Sequence, residues 1–187
     1  MYITTSRKPS DSTRVIARNI SSFLNSTYEN RGKKSIEDIV SRARLLGFRR
    51  VMLISETKGN PNKLSFISID KSWDWMSPEL LFSVATSQLK GKIGRIGKEV
   101  SVHAKEKDLA NLFDLPEPAT DDTVTLSIQR DSITFKYGPK KLALNIKGFL
   151  TTKPDEEDDD DDEEEDDEEE AQAEVPGEAE DEDEETG

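Results

Sequence analysis

Cysteine is absent from all 187 residues. That excludes disulfides, thiolate metal sites and cysteine nucleophiles, and it agrees with an intracellular setting. Histidine occurs once, as His103. With Lys105, Glu106 and Lys107 beside it and no second cluster of ligand-type residues, it supports neither a metal centre nor a histidine-based catalytic pair; a strand histidine is the plain reading. No apolar run approaches the ~20 residues of a membrane span. The opening Met1 to Lys8 lacks the apolar stretch of a secretion signal. Basic residues are missing from the last 33 positions, Asp155 to Gly187.

That last absence divides the chain electrostatically. Residues 1–154 carry all 26 Lys and Arg against 16 Asp and Glu, whereas residues 155–187 carry 24 acidic residues and no basic one. The formal net charge of −14 therefore sums a basic body and an acidic tail. The body holds the apolar runs and is long enough for one domain or for two small halves, about 1–72 and 73–154. The tail has too little apolar surface to offset the entropy of ordering, so disorder is expected from residue 155 onward.

Periodicity predicts a short strand at Tyr2 to Thr5 and a helix from about Asp11 to Ser26, with Ile16, Ile20, Phe23 and Leu24 on its buried face. Ser35 is a good cap for a second helix, with Glu37 and Asp38 in its first turn. Its stripe is Ile36, Ile39, Val40, Ala43 and Leu46, and Gly47 ends it. Strands follow at Val51 to Ser55 and Leu64 to Ile69, around a turn at 59–62. Trp73 to Pro78 reads as a crossing segment with at least one tryptophan packed between the halves, and Leu80 to Ala85 as a strand. A glycine-punctuated basic loop spans 90–98. A weak strand at Val100 to Ala104, a helix at Lys107 to Leu115, a hairpin of 124–128 with 133–137 and a last strand at 142–146 complete the body. No residue-level repeat relates the halves.

Ile3-Thr4-Thr5-Ser6-Arg7-Lys8-Pro9-Ser10 resembles the opening of the Brix domain family of ribosome-assembly proteins. Arg31-Gly32-Lys33 after the first helix, a helix ending at Leu46-Gly47 before Val51-Met52-Leu53-Ile54, and Glu56-Thr57-Lys58-Gly59-Asn60-Pro61 before a returning strand agree with it. The match covers residues 2 to 70. The resemblance implies an α/β fold of two related halves of mixed sheet plus helices, each similar to the anticodon-binding domain of class IIa aminoacyl-tRNA synthetases. It also implies non-catalytic work in ribosomal RNA processing and subunit assembly. Short archaeal-type members likewise begin directly at the domain, so a cytoplasmic setting is expected, or a nucleolar one if the source is eukaryotic.

The candidate RNA-binding residues fall into two groups. Arg7, Lys8, Arg14, Arg18, Arg31, Lys33 and Lys34 would share one face if their segments are neighbours; guanidinium forks suit phosphate oxygens, and Ser6, Ser10 and the helix-start amides add donors. Tyr28 beside them is the best candidate for stacking on an unpaired base, ahead of Trp73 and Trp75. Lys90, Lys92, Arg95 and Lys98 form the second group, where Gly91, Gly94 and Gly97 let a backbone come close. Its glycine spacing matches neither the dinucleotide fingerprint nor the phosphate loop. For both groups a solvated basic surface is the alternative.

Carboxylate pairs such as Glu37-Asp38 and Asp121-Asp122 read as a helix start and a loop, and no nucleophile stands with a base. The expectation is therefore a non-enzymatic, cofactor-free factor binding ribosomal RNA or its precursor. Ribosomal proteins or other assembly factors would be further partners, with no membrane involved. The tail would compete for the basic surface; alternatively it is the active element, shielding basic ribosomal proteins as a chaperone or adaptor.

Overall fold

The computed structural model describes residues 1–89 and 91–151. Lys90 and the acidic tail, with the expectation of disorder made for it, lie outside the described residues.

One nine-stranded mixed sheet organises the body. In chain order the elements are β1 (Tyr2–Thr5), α1 (Asp11–Phe23), β2 (Thr27–Tyr28), α2 (Ile36–Leu45), β3 (Arg50–Thr57), β4 (Asn60–Ile69), β5 (Trp73–Ser83), a 3₁₀ turn (Thr86–Gln88), β6 (Val100–Ala104), α3 (Lys107–Phe113), β7 (Val124–Ile128), β8 (Ser132–Tyr137) and β9 (Lys140–Leu150). The strands lie in the order β2-β1-β3-β4-β5-β9-β8-β7-β6.

The topology repeats although the residues do not. β1 and β3 are parallel, and β3, β4 and β5 continue as an antiparallel meander. β6 and β7 are likewise parallel, followed by the antiparallel meander β7-β8-β9. β5 and β9 pair antiparallel, so the two strand sets meet at the middle of the sheet. The turn at 70–72 joins two paired strands, and the topological repeat turns over after Ser83.

α1 and α3 cover one sheet face. Ile16, Ile20 and Phe23 of α1 and Leu109, Leu112 and Phe113 of α3 share a buried cluster with Met52, Phe66, Leu126 and Phe135 from both strand sets. Phe23 stacks on Phe135 at 5.7 Å, Phe135 meets Phe113 edge-on at 6.5 Å, and Phe113 meets Phe66 at 5.4 Å. This aromatic chain links α1, β8, α3 and β4.

α2 covers the other face, over the first strand set alone, burying Ile39, Val40 and Ala43 against Tyr2, Val51, Ile67 and Ile69. Ser35 and Asp38 form a reciprocal capping box at its start. Leu46, assigned to its stripe from periodicity, is 48% exposed. Gly47, at φ +79, turns the chain, and Phe48 N–H bonds back to Ala43 at 2.9 Å. Phe48 rather than Leu46 then packs on Tyr2, ring centres 5.8 Å apart. Among the described residues, no helix joins the buried clusters on the corresponding face of β6 to β9. There Ser101, Thr125, Ser127 and Thr134 line up in register, half-buried.

Trp73 and Trp75 correct the crossing-segment reading. β5 is one strand from Trp73 to Ser83, and both indoles, 6.4 Å apart and edge-to-face, pack under α2 rather than between the strand sets. The β4–β5 register shifts between Leu64 and Phe66. Pro78, which has no N–H to donate, sits opposite that shift, so the ladder resumes beyond it.

Truncating the aromatic chain at its junction tests this core. Phe135→Ala is expected to cost roughly 3–5 kcal/mol, read from equilibrium urea unfolding; a cost below about 1 kcal/mol would contradict the packing described.

Candidate nucleic-acid interface

The start of α1 is already filled by a carboxylate. Glu56, reaching across from β3, accepts the Ser10 backbone N–H at 2.8 Å, the Ser10 hydroxyl at 2.7 Å and the Thr13 hydroxyl. Burial pushes the Glu56 carboxyl up, but the bonds from Thr13 and Ser10, with the charge of Arg14, outweigh it and hold the group below its ordinary value. Ser10 is therefore a cap satisfied from within, not a phosphate donor. Ser6 N–H is likewise spent on Ile54 O at 3.1 Å. Next to this helix start Arg7 is half-buried and Lys8 exposed.

Further along α1, Arg14 and Arg18 stand one turn apart. Arg14 pairs with Asp11 at 3.0 Å, near the surface, where such a pair is weak. The Arg18 guanidinium lies 5.7 Å from the centre of the Tyr28 ring, within cation–π range. Burial raises the Tyr28 hydroxyl pKa against the opposing effect of Arg18. Arg14, Arg18 and Tyr28 are thus one group, and Arg18 occupies a face of the ring proposed for base stacking.

The basic loop docks on the same helix. Asn19, 3% exposed, takes the Ile93 N–H at 2.8 Å on Oδ1 and donates from Nδ2 to the Gly91 carbonyl at 3.1 Å. Ser22 Oγ donates to the Ile93 carbonyl at 3.0 Å. Ile93 and Ile96 pack on the first core, while Lys92 and Arg95 are exposed. The loop thus has a three-residue period: glycine, outward cation, inward isoleucine, twice in succession from Gly91. Gly91 and Gly97 take φ of +117° and +67°, conformations that favour glycine. Lys98 departs from the pattern, pairing with Asp122 at 2.6 Å.

The segment between β2 and α2 is arranged differently. Arg31 is 3% exposed and donates from Nε to the Lys34 carbonyl at 3.0 Å. That corrects its assignment as a surface phosphate ligand: burial makes it a strut of its own loop. Lys34 pairs with Glu29 at 3.0 Å, and Glu29 also takes the Tyr2 hydroxyl and lies 3.7 Å from Arg42. The Tyr2 hydrogen bond, then Lys34, hold the Glu29 carboxyl below its ordinary value, overcoming the opposing effect of burial. Lys33 is exposed. Of the seven N-terminal cations, Arg14 and Arg18 lie on α1, and Arg31, Lys33 and Lys34 lie between β2 and α2. The loop that carries Lys92 and Arg95 docks on α1, the helix that carries Arg14 and Arg18, while Lys33 and Lys34 lie on the link that carries the chain to the other face.

A charge boundary frames this arrangement. Residues 1–98 hold 18 Lys and Arg against 8 Asp and Glu, but residues 99–122 hold 2 against 7. The acidic stretch runs through β6, the outermost strand, and α3. His103 lies on β6, exposed, with Ser101 Oγ 3.3 Å from its ring. Among the described residues no group of three or more His, Asp and Glu is placed to hold a metal ion.

Asn19 and Ser22 were not among the sequence candidates. Asn19 had a legible signal, for it lies three residues after Ile16 and four before Phe23, a polar side chain on an apolar stripe.

A mixed α/β sheet carrying a latched basic loop is the class defined so far. Comparison with known proteins narrows it. No family model matches the chain. Proteins named probable Brix domain-containing ribosomal biogenesis protein do: one from Thermococcus kodakarensis is 42% identical over 76 residues, 40% of this chain and 36% of the relative. One from Pyrococcus abyssi is 40% identical over 76 residues, 34% of its length. These matches span about a third of those relatives. A Methanosarcina barkeri protein of the same name is 29% identical over 162 residues, 80% of this chain and 98% of the relative.

In fold, the chain is similar to a probable ribosomal biogenesis protein from Aeropyrum pernix, with a TM-score of 0.62 at 20% identity over 81% of this chain and 98% of that one. It is also similar to Mil, an archaeal Imp4-like protein, with a TM-score of 0.59 at 23% identity over 81% and 100%. The chain is thus similar to proteins named as Brix domain-containing ribosomal biogenesis proteins, in agreement with the resemblance read from its sequence.

The Glu56 cap has a pH signature. Its carboxyl lies below 4.5 in the folded chain, so its contribution to stability is complete above pH 4.5 and is lost as pH falls through the folded value. Glu56→Gln is expected to lower stability by about 1–2 kcal/mol at pH 7. Urea unfolding of both proteins should show the difference shrinking below pH 4.5; a gap that widens in acid would refute the assignment.

Proposed function

We propose that this protein is a non-catalytic ribosome-biogenesis factor that holds ribosomal RNA, or its precursor, on the surface formed by α1 and the loop at 91–98. The observation that carries the reading is the docking of that loop on α1 through Asn19 and Ser22. It brings the loop carrying Lys92 and Arg95 against the helix carrying Arg14 and Arg18, although the contacting residues are more than 70 apart. Lys8 and Lys90 belong to the same reading as peripheral phosphate contacts. Such contacts position a nucleic acid without reading its sequence. Preference for a particular RNA would come from unpaired bases or shape, with the exposed part of Tyr28 as one stacking surface.

Several features support this. The relatives named above are ribosomal biogenesis proteins by name. No helix among the described residues is long and apolar enough to cross a membrane. The repeat of a parallel pair followed by a meander is compatible with two related halves similar to class IIa anticodon-binding domains, together making a domain of residues 1–154. An archaeal-type cytoplasmic setting belongs to the same proposal.

The acidic segment 155–187 acts, on this reading, as a tethered competitor for the basic surface. Tethering gives a linked group an effective concentration of roughly millimolar at short linker lengths. Deleting 155–187 is expected to tighten binding to a generic single-stranded RNA at low salt and to steepen its salt dependence, because more counterions are then released by RNA. Fluorescence anisotropy with labelled polyuridylate reads both quantities. Equal affinity with and without the segment would remove the competitor role. Retention of basic ribosomal proteins by the isolated segment, with no RNA bound by the body, would favour the chaperone reading.

Charge removal tests the surface itself. Arg14→Ala with Arg18→Ala is expected to lower the salt slope by about 0.7 per lost phosphate contact on single strands, measured in the same titration. An unchanged slope would place the RNA elsewhere.

A further inference from the structure

We infer that Asn19 is a positioning residue for RNA binding: it fixes the loop at 91–98 against α1 so that Lys92 and Arg95 stand with Arg14 and Arg18. The inference rests on the proposed RNA-binding reading and assigns a role to a residue that carries no charge and meets no phosphate.

The geometry is unusually specific for an uncharged contact. Asn19 holds the two peptide groups on either side of Lys92, accepting from Ile93 N–H and donating to Gly91 C=O. Both hydrogen-bonding atoms of the amide used here are committed to one loop, and the side chain is 3% exposed. Ser22 adds a third tie at the Ile93 carbonyl, 3.0 Å away. A glycine-rich segment with no regular structure from Gly91 to Glu99 would otherwise sample many conformations. The ties and the inward Ile93 remove most of that freedom near Lys92. Ordering the loop before RNA arrives lowers the entropic cost of binding, as preorganisation does generally.

The position within α1 explains why the tie also sets direction. Asn19 follows Arg18 and lies on the helical row of Ile16 and Phe23. The amide is buried among the core side chains, while Arg18 projects to solvent over Tyr28. Loop and helix cations are therefore brought to one side by a contact made from beneath.

The experiment is a double-mutant cycle in the full chain, with labelled polyuridylate as probe. Asn19→Ala leaves every charge in place, yet it is expected to weaken binding by roughly two- to tenfold, the range corresponding to one or two hydrogen bonds. The salt slope should fall as well. In a background of Lys92→Ala and Arg95→Ala the same change should add little, because the cations it positions are gone. Hydrogen exchange at Ile93 N–H should speed up in Asn19→Ala. If Asn19→Ala does not fold, Ser22→Ala, which removes the third tie and a bond to the Arg18 carbonyl within α1, takes its place in the cycle with a smaller effect in the same direction.

Parent-like affinity and slope in Asn19→Ala, while Lys92→Ala with Arg95→Ala weakens binding, would overturn the positioning role and leave the RNA-binding reading standing. Equal losses in both backgrounds would also overturn it, since they would report a general loss of folded protein. If the unsubstituted protein binds no RNA, the parent reading falls, and this role for Asn19 falls with it.

Discussion

Phe23 of α1 stacks on Phe135 of β8, although the two residues belong to different strand sets. That contact constrains the rest of the molecule. α1 must lie where it reaches β1 to β4 of the first strand set and β8 of the second. Asn19 and Ser22 on that helix then meet the stretch that leads from β5 into β6, at Gly91 and Ile93. Apolar burial, the largest favourable contribution to folding, thus sets the position of four cations that make no contact with the core. The surface proposed for RNA is, on that reading, a by-product of where a helix sits to pack on both sets of strands at once.

Charge is arranged on a finer scale than a basic body and an acidic tail. The stretch 99–122 is acidic within the body, and it runs along the outermost strand. A polyanion meeting this protein would be drawn toward α1 and kept from the β6 edge by the same field. Glu56 and Glu29 show the opposite use of a carboxylate. Each lies among donors and cations of the first strand set, satisfying groups that an outside anion would otherwise find. A count of arginines and lysines along the chain overstates the phosphate-binding surface, because several are already spoken for.

The parts legible in the sequence were those governed by local periodicity. The stripe of Ile16, Ile20 and Phe23 placed α1, and Ser35 and Gly47 bounded α2. Alternation placed β7, β8 and β9, though β9 runs on to Leu150 because pairing with β5 sustains it. What failed depended on partners distant in the chain. Trp73 to Pro78 looked broken because of its proline, yet β4 pairs on both sides of the irregularity. Arg31 counted as a surface cation because a sequence does not show burial. Ser10 looked free because Glu56 lies 46 residues away. Asn19 is the instructive omission, for a polar residue on a buried stripe asks for a partner, and the partner was the glycine loop.

The single apolar layer on β6 to β9, among the described residues, has a consequence for how the molecule comes apart. The first strand set is sandwiched, with α1 on one side and α2 on the other, whereas the second rests on a single apolar layer supplied by α3 and shared with α1. A sheet half with a single apolar layer among the described residues has little means of persisting once that shared layer is withdrawn. Melting of α1 would strip cover from both sets together. The two strand sets, alike in topology and unlike in sequence, are thereby bound into one cooperative unit in which neither outlasts the other.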